Sequence, residues 1–544
     1  MTPETCRFIE ASHDVPAIAV RREQIAGILG GMGLLVAAAS GWHDAFVLLA
    51  MAAVVAGTRR RILAVGAACL FTVAFPPFSW PTWWICLAPL FWIWRDRDLQ
   101  RSAARLVAEA VAIGFAMCWL STGFVRAAMP AWGSLIHAAA CVVFSLQLVV
   151  LALAVHWTRG KPIVAAAPIC ALTAVAGDLF EAWCGVSWSV TNLALTVATT
   201  PLAQWSHWIT PFGVSGLLYL VNFTLACENT PSLGRRWLGP ALGSAIAGLA
   251  WFGGCLVAAS VSVTPLPFSV LLLQPHAKVS KNESWRPWLK LDRITRATLS
   301  REGPVDLIVW PESSLSESRS DAQPEAVDIE TRLTIQDFSR LLTPTYKTNC
   351  LAGVTVLEPG TTVRYGLEVA EVRRYNCGCL VSESGAIVRH EKLDLVPLKE
   401  GLPRLLDHQW IRTRLLPEIQ LNAPLAPGRE FGLLSFRDRR GKSRSIAVCV
   451  CYESLLPWLP QYRDEGAVDA IVHLVYDGNT AEHPGMIERQ IRGCQYRAIE
   501  TRKWNLVCST WSGSTVIDPC GRIVSQMAAT AGVLRSDVAN GKGN

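Results

Sequence analysis

Asp306-Leu-Ile-Val-Trp-Pro-Glu312 and Ala447-Val-Cys-Val-Cys451-Tyr-Glu453 are two short apolar runs, each closed by side chains that can do chemistry. A short apolar run without polar alternation predicts a strand covered on both faces. Residues 268–273, 351–356, 470–475 and 506–509 read the same way. Helix-like stretches at 285–301, 332–342 and 486–502 lie between several of them. Strands alternating with helices predict an α/β domain whose sheets are covered. Residues 402–429 are rich in Pro and Leu without a period, which predicts an extended arm over that domain.

Upstream of Val263 the chain is of another kind. The whole sequence is 51% hydrophobic and 17% charged, against about 25% charge in an ordinary soluble domain. Apolar segments fall at 25–40, 44–57, 62–77, 81–94, 104–125, 132–157, 163–181, 205–228 and 237–262. A helix of roughly 20 such residues spans a bilayer, and the first two segments also fit a re-entrant pair. Lys and Arg gather in alternate connections: Arg21-Arg22, Arg59-Arg60-Arg61, Arg95, Arg97 and Arg101, Arg159 and Lys161, and Arg235-Arg236. That alternation places those connections in the cytoplasm and everything after Val263 on the opposite side. The expected organisation is a cytoplasmic tail at 1–24, a polytopic α-helical membrane domain of about nine spans at 25–262, and an extracytoplasmic catalytic domain at 263–544.

Other features of the apolar half read as membrane anatomy. Trp80, Trp83, Trp84, Trp188, Trp205 and Trp208 fall where spans meet headgroups, as an interfacial aromatic belt does. Gly27-x-x-x-Gly31 has no strand before it, so close helix packing is expected rather than a nucleotide loop. Glu109, Asp178 and Glu181 would be costly against lipid, and the latter two sit toward the outer end of their segment, within reach of water. The formal charge is +7, but no basic stretch with interleaved aromatics points to nucleic acid. The cysteines include two C-x-C pairs, Cys377/Cys379 and Cys449/Cys451, without the second pair or histidines of a zinc site. Neither metal nor cofactor is expected.

Three strand ends carry the chemistry. Cys451 is a candidate nucleophile once a base takes its proton. Glu312 is the candidate base, able to return that proton to a leaving group. Lys392, in His390-Glu-Lys392-Leu-Asp-Leu-Val-Pro397, is placed to hold an oxyanion together with the backbone N–H after Cys451. Strand alternation puts Cys449 and Cys451 on one face and Val448 and Val450 on the other. These three side chains suffice for acyl transfer.

Taken in order, these runs resemble the nitrilase (carbon-nitrogen hydrolase) superfamily, and the membrane half resembles its apolipoprotein N-acyltransferase branch. The resemblance rests on Phe75-Pro-Pro-Phe78, Leu87-Ala-Pro-Leu90, Gly185-Val-Ser-Trp188, Pro211-Phe-Gly-Val-Ser215, Trp310-Pro-Glu312, Lys392 with Leu395-Val-Pro397, Cys451-Tyr-Glu453, Arg497-Ala-Ile-Glu500 and Ser509-Thr-Trp-Ser-Gly-Ser-Thr515. It implies an α-β-β-α sandwich with a Glu312, Lys392 and Cys451 triad. Glu400, Tyr452 and Glu453 match supporting positions, and Trp188 matches a substrate-binding one. It further implies a bacterial inner-membrane enzyme. A phospholipid would donate an acyl chain to Cys451, and the N-terminal diacylglyceryl-cysteine of a lipoprotein would accept it.

The sequence departs from that family at the rim of the site. Leu398-Lys399-Glu400 stands for Phe-Gly-Glu, His390 for a tyrosine and Asp394 for a histidine. Tyr476-Asp-Gly-Asn-Thr480 lacks the family's aromatics, and no apolar span follows Leu534. The same triad would serve a membrane-tethered amidase, and a vestigial site would fit a membrane assembly factor.

Overall fold

The computed structural model describes most of residues 47–536. Outside the described residues lie 1–46, 96–101, 129–132, 185–189, 228–237, 277–286, 320–333, 404–424, 457–467 and 537–544, with a few single and paired positions between them. The expected segment at 25–40, most of 44–57, the Gly27/Gly31 spacing, Trp188 and most of the 402–429 arm therefore fall outside the described residues.

The helical half contains α1 (Thr58–Ala74), α2 (Ala88–Arg95), α3 (Ala103–Ser121), α4 (Gly133–Trp157), α5 (Ile163–Cys184), α6 (Ser206–Ala226) and α7 (Leu238–Ser260). Five helices among the described residues are long and apolar enough to cross a membrane: α3, α4, α5, α6 with the short turn before it, and α7. On α4 the exposed Leu135, Val142, Leu146, Val150, Leu153 and Trp157 recur at three, four and seven residues. They make a lipid-facing stripe of a kind that a helix in water would bury. α7 buries little of itself and exposes Leu249, Phe252 and Leu256.

The expected span at 81–94 is broken. After the Phe75-Pro-Pro-Phe78 turn comes a 3-10 turn, Pro81–Trp84, and then α2, a helix of 8 residues. Proline cannot donate, so the break leaves peptide groups to be satisfied in a setting without water. Asn222 of α6 does this: its Oδ1 accepts from Leu87 N at 2.8 Å, and its Nδ2 donates to Trp83 O and Leu218 O, each at 2.8 Å. Trp83 is buried there, unlike the exposed Trp80 and Trp208, so it does not belong to the expected belt.

Asp178 and Glu181 also differ from expectation, because both are buried rather than open to water. Asp178 accepts from Gln147 Nε2, from Ser215 Oγ at 2.8 Å and from Asn192 Nδ2 at 3.4 Å. Glu181 accepts from Thr191 Oγ1 at 2.9 Å. Donors from α4, α6 and the 191–192 segment thus supply what water would have supplied.

The second half is a sandwich of two sheets. One has the order β12-β1-β2-β3-β4-β5, made of Gly532–Ser536, Val270–Gln274, Leu307–Trp310, Asn349–Arg364, Leu367–Val381 and Ile387–Glu391, with the short Ser318–Arg319 strand also on β3. The other has the order β11-β10-β9-β8-β7-β6, made of Ile523–Gln526, Thr515–Ile517, Trp504–Ser509, Ala470–Val475, Ser443–Val450 and Leu433–Arg437. The expected strands are β1, β2, the start of β3, β7, β8 and β9. β1–β2–β3 and β7–β8–β9 pair in parallel, and the outer strands pair antiparallel.

Between the sheets, Val270, Leu272, Val309 and Leu351 pack against Val448, Val450, Val472 and Leu506. Trp288 and Leu291 of α8 (Pro287–Glu302) cover the outer face of the first sheet, beside Trp310 and Phe338. Ile491, Cys494 and Ala498 of α9 (Pro484–Thr501) cover the outer face of the second, against Val475 and Val507. The layers therefore run α-β-β-α.

α9 also faces the membrane half. The buried Arg489 donates to Ser121 O at 2.6 Å and Val190 O at 3.1 Å, and lies over Phe75 at 4.5 Å. Arg492 donates to Leu195 O at 3.0 Å, and Tyr496 OH to Ala194 O at 2.7 Å. A Cβ on Gly485 would meet Pro76 O at 2.7 Å, so only glycine lets α9 begin against the proline turn. These contacts gather at one end of the bundle. At the other end, Arg159 Nε donates to Trp94 O at 2.8 Å, which brings the Arg95 and Arg159 connections together.

Candidate active site

The nucleophile candidate stands where β7 stops. Val450 is the last strand residue, and Cys451 opens a 3-10 turn, Cys451–Leu455, with φ +52°. A positive φ is costly for a residue with a Cβ, and it turns the chain out of the strand direction. Alternation therefore ends at Val450, which corrects the expectation that Cys449 and Cys451 share a face. Cys449 packs with Ala447, Val468 and Ile471, whereas the partly exposed Cys451 sits at the edge of the core between the sheets. Both thiols are free.

Glu312 follows β2 through Pro311 and is buried. Asn376 Nδ2 donates to its Oε1 at 2.6 Å, and Tyr476 N donates to its Oε2 at 2.7 Å. Lys392, just beyond β5, is fully buried. Its Nζ lies 2.8 Å from Glu400 Oε2 and 4.0 Å from Glu312 Oε1. Asn376 serves both partners, because its backbone O accepts from Lys392 N at 2.8 Å. Glu400 in turn accepts from Val396 N at 2.8 Å, which folds the Leu395-Val-Pro397 segment back onto the lysine.

These charges tune one another. Burial raises the Glu312 pKa above the ordinary glutamate range, with Lys392 opposing and Glu400 adding to it. Burial pulls Lys392 down, but Glu400, Glu312 and Cys451 outweigh it and hold the ammonium above the usual lysine range. Removal from water pushes the Cys451 thiol up to about 12, the Glu312 and Glu400 carboxylates adding to this and Lys392 opposing. The resting pocket thus favours a thiol beside a fixed cation. Thiolate has to form together with proton transfer to a neighbouring base.

Glu453 ties two of these strand ends together. Its Oε2 accepts from Val450 N at 2.7 Å, and its Oε1 accepts from Leu393 N at 2.7 Å and Asp394 N at 3.3 Å. Burial works against its charge, but His390 and these N–H groups hold its pKa below the ordinary range. His390 Nδ1 accepts from Gly432 N at 3.2 Å, and its Nε2 lies 3.8 Å from Glu453 Oε2. Tyr452 points the other way, into an apolar cluster with Val396, Leu455, Leu456 and Met486 that also contains Phe124, Val125 and Val190 of the membrane half.

Glu312, Lys392, Cys451 and Glu400 are brought together, Glu453 ties the strand ends beside them, Tyr452 turns away into the apolar cluster, and Trp188 lies outside the described residues. Sequence reasoning missed Asn376. Its signal was a polar side chain inside the run Tyr375-Asn-Cys-Gly-Cys379. It also missed Gln490 of α9, whose Nε2 donates to Cys451 O at 2.7 Å and which sits on a helix face that reads as ordinary polar surface.

Residues 270–541 match the carbon-nitrogen hydrolase family model, and residues 67–224 match that of the apolipoprotein N-acyltransferase N-terminal domain. The chain belongs to the carbon-nitrogen hydrolase family, in the branch that carries this N-terminal domain. It is similar to apolipoprotein N-acyltransferase 2 of Treponema denticola, 26% identical over 49% of this chain and 48% of the relative. It is also similar to the apolipoprotein N-acyltransferase of Pseudomonas putida, 24% identical over 82% of this chain and 79% of that one. The match to the Treponema denticola protein spans about half the length of that relative. A solved Saccharomyces cerevisiae member of branch 10 of the nitrilase superfamily is 15% identical with a TM-score of 0.35, over 50% of this chain and 89% of that one.

Proposed function

We propose that the protein transfers a fatty acyl chain from a phospholipid to the N-terminal diacylglyceryl-cysteine of lipoproteins, through a thioester on Cys451. Glu312 takes the thiol proton as sulfur attacks the ester carbonyl. Lys392 and the backbone N–H after Cys451 hold the oxyanion. Collapse breaks the C–O bond, and Glu312 returns its proton to the departing lysophospholipid alkoxide. The lipoprotein α-amine then attacks the thioester, a base takes its proton, and the thiolate leaves. Two half-reactions at one cysteine predict ping-pong kinetics. Residues 1–24, 25–262 and 263–544 are assigned as cytoplasmic tail, membrane domain and catalytic domain. The last of these lies outside the cytoplasm, at the inner membrane of a bacterium.

The observation that carries this reading is the apolar cluster that runs from Tyr452, beside the nucleophile, to Phe124, Val125 and Val190 of the membrane half. A soluble amidase has no need to pack the turn beside its nucleophile into a membrane half, whereas an enzyme that takes its acyl donor from lipid must hold its cysteine there. Purified protein is incubated with alkyne-tagged phospholipid and then with neutral hydroxylamine, which cleaves thioesters and spares amides. Wild type is expected to take up hydroxylamine-sensitive label and release it to a diacylglyceryl peptide, and Cys451→Ala to take up none. Lys392→Ala and Glu312→Gln should slow labelling about 100- to 1000-fold. Equal labelling of Cys451→Ala, or none of wild type, overturns the reading in favour of a hydrolase or a vestigial site.

A further inference from the structure

We propose that the β10–β11 hairpin anchors the sheet half to the membrane: β11 lies in the boundary between lipid headgroups and acyl chains, with Ile523 and Val524 turned into the lipid. Among the described residues the two sheets end in four edge strands, β12, β5, β11 and β6. β12 carries Arg535, β5 carries Arg389 and Glu391, and β6 carries Arg437. Charges of this kind keep an open edge from pairing with another chain in water. β11, which reads Ile523-Val-Ser-Gln526, carries none. Ile523 is 39% exposed and Val524 49%. Neighbouring residues of a strand point to opposite faces, so apolar side chains stand open on both faces of this edge.

The turn before β11 is held at the depth of a membrane helix. Gln204, in the short turn that leads into α6, donates from Nε2 to Cys520 O at 2.8 Å. Its Oε1 accepts from Arg502 Nη1 at 2.9 Å, and the same Nη1 donates to Pro519 O at 3.2 Å. A Cβ on Gly521 would meet Ile499 of α9 at 2.7 Å, so the hairpin turn is drawn in close. The Gln204 turn in its own right packs on α7. Trp205 Nε1 donates to Ala250 O at 2.8 Å, and Pro201 O lies against the position a Cβ of Gly254 would take. Gly254 stands six residues inside the end of α7 at Ser260, about 9 Å of helix. The hairpin turn is therefore seated below the end of a helix long and apolar enough to cross a membrane. Exposed Trp208 and Ile209 follow Gln204 within about a turn, and exposed Leu256 follows Gly254, so the surface around this seat is apolar.

The charges of the turn are answered within it. Asp518 accepts from Cys520 N at 2.8 Å, from Arg522 N at 2.9 Å and from Arg522 Nε at 2.8 Å, so acid and base enter the boundary as a pair. An open strand edge cannot lie in the hydrocarbon, where its peptide groups find no partner. It can lie at headgroup level, where water still reaches the backbone while the side chains extend into the acyl boundary. This seating is independent of the chemistry at Cys451.

A nitroxide attached at Ile523→Cys or at Val524→Cys tests it in the full-length protein, in nanodiscs of phosphatidylethanolamine and phosphatidylglycerol. Cys6, Cys255 and Cys451 are replaced by serine, which leaves the introduced thiol as the reactive one among otherwise buried cysteines. Spin relaxation is measured with oxygen, which concentrates in lipid, and with a neutral nickel chelate, which stays in water. Lys290→Cys, at an exposed position on α8 with both sheets between it and α9, supplies the water reference. Both hairpin labels are expected to collide more with oxygen and less with the chelate than this reference, in a ratio that places them about 5–10 Å into the headgroup and acyl boundary. Collision with the chelate equal to the reference would put β11 in water and overturn the proposal. Shielding from both reagents would overturn it too, because a second copy or another protein would then cover the edge. Either label decides alone should the other variant fold poorly.

Discussion

In the mechanism proposed above, Glu312 serves as a base only when it is ionised, and its buried carboxyl is held above the ordinary glutamate range. A raised pKa means protonation begins at a higher pH, so the acid limb of kcat/KM should lie above the limb that an exposed glutamate would give. Lys392 is shifted upward, so it imposes no alkaline loss below about pH 10. Asn376 donates to the charged form of Glu312 and therefore holds its pKa down. Asn376→Leu should move the acid limb further up by about one to two pH units, since a hydrogen bond to a charged group is worth roughly 1.5–3 kcal/mol and one unit is about 1.4 kcal/mol. A limb that stayed in place, or moved toward lower pH, would show that Glu312 is not the group being titrated. At this scale the sequence was informative where a reactive side chain closed an apolar run, as Glu312 and Cys451 do, or stood just before one, as Lys392 does. It was silent on Asn376 and Gln490, whose roles depend on which strand or helix lies beside them. It misled on Cys449, because alternation assumes backbone angles that Cys451 does not adopt.

Among the elements, the interrupted return from α1 to α2 shows how a membrane half tolerates a turn at depth. One side chain, Asn222, satisfies the peptide groups of Trp83 and Leu87. Asn222→Leu should cost about 1–3 kcal/mol for each orphaned group, read as a lowered unfolding midpoint in detergent. A midpoint equal to that of wild type would show that the break is satisfied in another way. The parallel strands β1, β2, β7, β8 and β9 were legible because burial on both faces leaves unmixed apolar runs. The β3–β4 hairpin was not. Its strands, Asn349–Arg364 and Leu367–Val381, continue through Glu358-Pro-Gly-Thr-Thr362, which reads as a turn and is held extended only by its partner. The long α9 was legible, but its two-faced grip was not, because Arg489 and Arg492 look like solvated charges until the opposing carbonyls are known.

At the scale of the whole molecule, the Arg95 and Arg159 connections meet at one end of the bundle, and α9 meets the other at Ser121, Val190 and Ala194. The carbon-nitrogen hydrolase half therefore sits at the end opposite these two connections, and we propose that this end faces outside the cytoplasm, as the positive-inside rule predicts. A reporter active only outside the cytoplasm should work when fused after Val263 and stay silent after Arg236. The reverse pattern would invert the orientation. The apolar cluster from Tyr452 to Phe124 and Val190 bears on how such a protein must be assayed. A nucleophile packed against the membrane half and taking its donor from lipid would sample that donor by mole fraction within the lipid phase, not by concentration in the surrounding buffer. Diluting the donor with inert detergent at constant bulk concentration should slow the first half-reaction in proportion, and inhibitors should rank by how they partition as much as by how they fit.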